Sequence, residues 1–99
     1  MGHISRTVHF KIRNGKEQDF ETTFERTVLP ELRRQEGFKG ELVLKKDAQQ
    51  AMGISLWKDR AAADTYQKSA YPKVLETLTP MLDGTPRVEV CDVPFMSLS

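Results

Sequence analysis

Ninety-nine residues make one domain, expected over 1–99 with a core at about 5–93 and a tail at 94–99. Hydrophobic residues at 38%, charged residues at 29% and a formal charge of +1 describe a globular chain. They exclude the large basic excess that non-specific nucleic-acid or acidic-membrane binding requires. The single cysteine, Cys91, leaves no disulfide framework and no Cys-based zinc site. No run approaches the ~20 apolar residues of a membrane span, and Met1 to Arg6 lacks the apolar core of a signal peptide. A reducing, cytoplasmic location is expected.

From Ile4 to Arg13 the period is two, which predicts a strand. Ile4, Val8, Phe10 and Ile12 share one face; Ser5, Thr7, His9, Lys11 and Arg13 share the other. Asn14-Gly15 supplies a turn. Phe20, Phe24, Val28 and Leu32 then recur every four residues, predicting an amphipathic helix over about 16–35 closed by Gly37. Pro30 predicts a kink near residues 26–30. Phe38 to Lys46 alternates again, with Phe38, Gly40, Leu42 and Leu44 opposite Lys39, Glu41, Val43 and Lys45.

After a polar loop at 47–50, Ala51 to Trp57 reads as a strand with Met52, Ile54 and Leu56 inward. Asp59 caps a helix through Ala62, Ala63 and Tyr66. Pro72 opens a second helical piece carrying Val74, Leu75, Leu78, Met81 and Leu82, with a break around Ser69-Ala70. Gly84 closes it, and Arg87 to Phe95 alternates as the last strand.

The order β-α-β-β-α-β predicts an α+β, ferredoxin-like fold: a four-stranded antiparallel sheet with both helices on one face. The helix-facing set is expected to be Val8, Phe10, Ile12, Leu42, Leu44, Ile54, Leu56, Val88 and Val90. The other face then mixes Thr7, His9, Lys11, Glu41, Ser55 and Glu89 with Val43, Trp57, Cys91, Val93 and Phe95. That is an apolar patch rimmed by polar groups, and a two-fold partner laying its own sheet over it predicts a homodimer through the open sheet face.

Three stretches carry a family resemblance. They are Arg6-Thr7-Val8 with Asn14-Gly15-Lys16-Glu17; Val28-Leu29-Pro30 leading to Arg33-Arg34-Gln35-Glu36-Gly37-Phe38; and Ile54-Ser55-Leu56-Trp57 followed by Ala63, Tyr66, Ser69 and Tyr71. In this order and spacing the chain resembles the antibiotic biosynthesis monooxygenase (ABM) domain family of dimeric α+β barrels. The resemblance implies that fold. The family's chemistry is divided: some members oxidise polycyclic phenols or quinols with O2 and no metal or flavin, others degrade haem, and some act on small signalling molecules.

The haem-degrading branch uses an Asn, a Trp and a His where this chain has Val8, Tyr66 and Glu76. Without that imidazole there is no evident axial ligand, so haem degradation is not expected. Small quinol-oxidising and signal-degrading members often carry two histidines where this chain has Tyr66 and Tyr71. Tyrosine donates a hydrogen bond to a quinone or phenol oxygen, but with a pKa near ~10 it is a poor base at neutral pH. Trp57 matches a frequent family position.

Each candidate also has a structural reading. Trp57 either stacks on a flat substrate or packs at the strand end or the dimer seam. Alternation puts it on the Ser55 side, and a bulge after Leu56 would turn it back towards the helices. Tyr66 and Tyr71 straddle the helix break, as pocket donors or as amphipathic rings at the core margin. His9 is a proton carrier or a strand histidine satisfied by a neighbour. Arg33 and Arg34 suit a solvated helix end, and Cys91 a small buried hydrophobe.

No G-x-G-x-x-G, phosphate loop, nucleophile elbow or H-E-x-x-H is present. The sheet positions Thr7, His9, Lys11, Gly53 and Ser55 lack the stacking aromatics of RNA-recognition modules. The expectation is a cofactor-independent monooxygenase or quinol oxidase for a small aromatic substrate. Its pocket would be walled by Phe24, Val28, Ile54, Trp57 and Leu75, with Tyr66 and Tyr71 as catalytic donors and no metal or cofactor. No inward-facing base is evident. The alternative is a non-catalytic homodimeric domain that holds a small apolar ligand.

Overall fold

The computed structural model describes residues 3–97. Strands β1 (His3–Lys11), β2 (Phe38–Asp47), β3 (Gln50–Trp57) and β4 (Arg87–Val93) form one antiparallel sheet in the order β2-β3-β1-β4. The helices α1 (Glu17–Thr23), α2 (Leu29–Arg33), α3 (Arg60–Ser69) and α4 (Tyr71–Leu78) pack on one face of it. This is the expected ferredoxin-like arrangement. Among the described residues no helix is long and apolar enough to cross a membrane.

The kink expected before Pro30 takes the form of a π-helical turn over Phe24–Val28. Proline offers no N–H, and its ring collides with the carbonyl four residues earlier, that of Arg26. The helix widens, and the Leu29 N–H reaches back five residues to the Phe24 carbonyl. Such turns project side chains off the regular helical stripe and are frequent at functional sites. The second break also lies where expected. The Asp59 carboxylate caps α3 by accepting the Ala62 N–H at 2.9 Å, α3 ends at Ser69, and Pro72 sits in the first turn of α4. Gly37, at φ +85°, turns the chain after α2 so closely against α3 that a Cβ would stand 2.6 Å from that of Ala62.

The two sheet faces are not distributed as the alternation suggests. Ile4, Arg6, Val8 and Phe10 pair with Trp57, Ser55, Gly53 and Ala51, and this set is buried under the helices. Met52, Ile54 and Leu56, expected inward, share the open face with Ser5, Thr7 and His9. In β2 the register shifts between Phe38 and Gly40. The extra residue keeps Phe38 opposite Trp57 but moves Glu41, Val43 and Lys45 to the helix side. Leu42 and Leu44 are left on the open face, 53% and 44% exposed. A one-residue slip exchanges the faces of everything beyond it.

Cys91, read as buried, is exposed on the open face with Glu89. Val88 and Val90 do lie on the helix side, opposite Val8 and Arg6. Between sheet and helices Phe10, Phe20 and Phe24 make a three-ring cluster with centroids 5.2–6.3 Å apart. That cluster ends where a charged side chain enters the layer.

Candidate functional site

Arg6 is the charged residue on the helix-facing side of β1, in parity with Ile4 and Val8, and it is 2% exposed. Its guanidinium carbon lies 4.4 Å from the centre of the Tyr71 ring and 5.0 Å from that of Tyr66. Cations over aromatic faces are attracted by the ring quadrupole, more strongly when desolvated. Arg6 Nη2 donates to the side-chain oxygen of Gln67. Nε has no partner among the described residues. Burial pushes the Arg6 pKa down, and the neighbouring phenols and Glu41 oppose that shift.

The break between α3 and α4 sets the two rings side by side, with centroids 6.0 Å apart. Trp57, fully buried, stacks on the far side of Tyr66 at 5.0 Å and 28°. Its Nε1–H donates to Ser55 Oγ at 2.8 Å, which fixes the indole, and Phe38 packs edge-on against it at 5.6 Å. Burial raises the pKa of both tyrosines above the ordinary phenol value, so both stay protonated donors through the neutral range.

The β2 shift brings Glu41 into the same layer opposite Ser55, above Gly53. Glu41 is half-buried, and its Oε1 is shielded from solvent without a hydrogen-bond partner among the described residues. Burial pushes its pKa up to about 8, partly opposed by the Arg6 charge. The two groups attract each other without forming a salt bridge. Between them lies a cavity of about 20 Å³, walled also by Phe24, Val28, Tyr66, Tyr71 and Val74. Phe24, carried on the π-helical turn, separates this cavity from an open groove of about 410 Å³ along Ile12, Phe20, Leu29, Val43 and Lys45. The Lys45 ammonium and the Glu21 carboxylate meet at 2.7 Å beside that groove.

Of the site residues expected from sequence, Phe24, Val28, Tyr66 and Tyr71 line the cavity. Trp57 stands one layer back, behind Tyr66. It is on the Ser55 side, as alternation requires, and needs no bulge after Leu56 because the Ser55 side is the helix side. Ile54 lies on the open face and does not line the cavity. Leu75 faces a different groove, with Arg13 and Leu82, and Val74 takes the cavity position one residue earlier on the helix. His9 is paired with Glu89 at 3.0 Å on the open face. Val8 is a cavity wall, and Glu76 is exposed.

Two residues were missed. Arg6 was discoverable, since its parity with Ile4 and Val8 places a charge on the buried face. Glu41 was not, because only the β2 shift turns it inward. Among the described residues no group of three or more His, Cys, Asp or Glu side chains converges to hold a metal ion.

The sequence profile of the family described as antibiotic biosynthesis monooxygenase matches residues 4–75. No curated protein matches the chain in sequence. Among solved structures the fold is shared with the NE2512 protein of unknown function from Nitrosomonas europaea, at TM-score 0.83 and 17% identity over 100% of this chain and 96% of that one. It is shared too with SnoaB, a cofactor-independent oxygenase from Streptomyces nogalater, at TM-score 0.76 and 19% identity over 100% and 96%. Rv0793 from Mycobacterium tuberculosis is similar at TM-score 0.74 and 15% identity over 98% and 99%.

Proposed function

This chain belongs to the antibiotic biosynthesis monooxygenase family, and we propose that it is a cofactor-independent oxygenase for a small phenol- or quinol-like aromatic. The observation that carries this reading is the Arg6 guanidinium, buried between Tyr66 and Tyr71 and facing an otherwise largely apolar cavity. An aromatic that is to reduce O2 directly must first become an anion. A fixed cation with phenol donors, out of bulk water, favours that anion far more than solvent would.

The substrate supplies the electrons. An activated ring methylene and one O2 give a ring carbonyl and one water: four electrons leave carbon and four reduce O2. A quinol and one O2 give the quinone and one hydrogen peroxide, with two electrons transferred. Arg6 holds the developing oxyanion, and Tyr66 and Tyr71 donate to the substrate oxygens. Phe24 and Val28 exclude water, and Trp57 holds the Tyr66 ring in place. Entry of an aromatic ring requires Phe24 to swing aside on the π-helical turn, joining the groove to the cavity.

The open sheet face supports a homodimer. Leu42, Leu44, Met52, Ile54 and Leu56 lie together there, with Cys91 and Val93 across the sheet. A second copy related by a two-fold axis would cover both patches at once.

The test is O2 uptake by the purified protein with hydroquinones, anthrones and naphthols, each against its autoxidation blank. Saturable uptake that falls in Tyr66→Phe supports the oxygenase. Protection against heat by the same compounds with no uptake would instead favour a ligand-binding domain of this fold.

A further inference from the structure

Oxidation of an aryl hydroxyl needs somewhere for its proton to go, and the tyrosines do not supply it, since burial holds their phenols protonated. Resting on the oxygenase reading, we infer that Glu41 is the proton acceptor of this site, taking the proton of an aryl hydroxyl whose oxygen then faces Arg6. Three observations carry this.

The first is position. Glu41 and Arg6 stand on different strands and wall the same cavity, and Glu41 Oε1 and Arg6 Nε are both buried without a partner among the described residues. An aryl hydroxyl placed between them meets both needs: it donates to Glu41 Oε1 and accepts from Arg6 Nε. Two unsatisfied buried groups of opposite polarity on one small cavity are uncommon in a folded protein, where such atoms are nearly always paired.

The second is composition. The titratable groups that face Glu41 are Arg6 from β1, Tyr66 from α3 and Tyr71 from α4; the cavity walls from β3, the π-helical turn and α2 carry none. Among the described residues Glu41 is therefore the one carboxylate on these walls. The third is accommodation. Gly53, beneath it, leaves the carboxylate its place, because any larger residue would crowd Oε2 and the Phe10 ring.

The step balances. The aryl O–H bond breaks, an O–H bond forms on Glu41, and no electron moves. The proton leaves later with the reduced oxygen, as water or hydrogen peroxide. A base works best when its pKa lies near the operating pH, and burial has moved Glu41 up to about 8.

The experiment compares wild type with Glu41→Gln, which keeps the shape, and Glu41→Asp, which keeps the acid. For O2 uptake, kcat/KM of the wild type is expected to rise with pH through a midpoint of about 8. Glu41→Gln should lose about 100-fold and the rising limb with it, while Glu41→Asp retains the limb. Uptake that persists in Glu41→Gln with an unchanged pH profile overturns Glu41 and leaves the oxygenase standing.

A second measurement does not depend on turnover. The Glu41 side-chain carboxyl carbon, assigned in labelled protein by its loss in Glu41→Gln, is followed by NMR while 2-naphthol is added. A shift at saturation supports the contact even if no panel compound is oxidised. Naphthol that binds without moving that signal, or does not bind at all, overturns it.

Discussion

Gly53 lies directly beneath the Glu41 carboxylate: a Cβ built on it would stand 3.0 Å from Oε2 and 3.3 Å from Phe10 Cε2. A glycine within a strand costs about 0.5–1 kcal/mol relative to alanine. In β3 that cost is offset by the close approach of a side chain from the neighbouring strand. The pair links a backbone choice on β3 to the ionisation of a group on β2.

Gly53→Ala should push the carboxylate outward, because Glu41 is the more mobile neighbour and Phe10 is locked in the core. The titration midpoint of Glu41 then falls from about 8 towards the ordinary carboxylate range as its solvation improves. Carboxyl NMR reads this directly. An unchanged midpoint would mean that the strand absorbs the methyl group and that Gly53 does not position Glu41.

The raised pKa makes stability depend on pH. Glu41 is protonated in the fold up to about pH 8, whereas in the unfolded chain it ionises near its ordinary value of 4.5. Between these limits the unfolded state binds fewer protons, so Glu41's contribution is fully present below 4.5 and is lost as pH rises through about 8. Glu41→Gln should therefore raise Tm more at pH 8 than at pH 4. Each 1 kcal/mol recovered is worth roughly 4–8 °C in a domain of this size. Equal shifts at the two pH values would show that Glu41 titrates normally.

Arg6→Met should leave the fold intact. The apolar chain of similar reach keeps the layer filled, while the bond to Gln67 and the cation's contacts with Tyr66 and Tyr71 are lost, at a cost of about 1–3 kcal/mol. Binding of aryl alcohols as anions should weaken by roughly 10–100-fold, the range of a hydrogen bond to a charged group. The Glu41 midpoint should climb further, since the Arg6 charge is what holds it down. Thermal melts, naphthol titrations above pH 9 and carboxyl NMR test the three parts separately.

Trp57→Phe should cost stability with little direct effect on the cavity walls. It removes the Nε1–Ser55 bond of 2.8 Å and leaves the Ser55 hydroxyl without its donor, a loss of about 1–3 kcal/mol. Urea unfolding measures it. Turnover should fall only as far as the Tyr66 ring loosens. A complete loss of turnover in a stable variant would place Trp57 on the substrate itself.

Leu42→Glu, at a position 53% exposed on the open face, should halve the solution mass seen by light scattering by placing a charge in the proposed dimer seam. If the mass is unchanged, the second copy does not cover this face.

Much of the fold was legible in the chain. The strand and helix periods, the Asp59 cap, the break at Ser69-Ala70 and the distortion before Pro30 all follow from local rules, and the structure has each of them. The placement of the site was partly legible. Tyr66, Tyr71, Phe24 and Val28 sit on helical stripes whose spacing turns them inward. Leu75 failed by one residue because the apolar stripe of α4 includes both Val74 and Leu75, and pattern alone does not rank them.

The strands were harder for a physical reason. β3 is apolar on both faces, Ala51 and Trp57 on one and Met52, Ile54 and Leu56 on the other, so hydrophobicity does not say which face meets the helices. Residue type and order by themselves determined the β-α-β-β-α-β succession, because period and capping are local properties of the backbone. Only the tertiary structure decided the contents of the layer beneath the helices. There the shift after Phe38, made by pairing β2 against β3, moved Leu42 and Leu44 out and brought Glu41 in beside Arg6. Register is a relation between strands distant in sequence, and a single inserted residue reverses it without leaving a mark on the alternation of either strand.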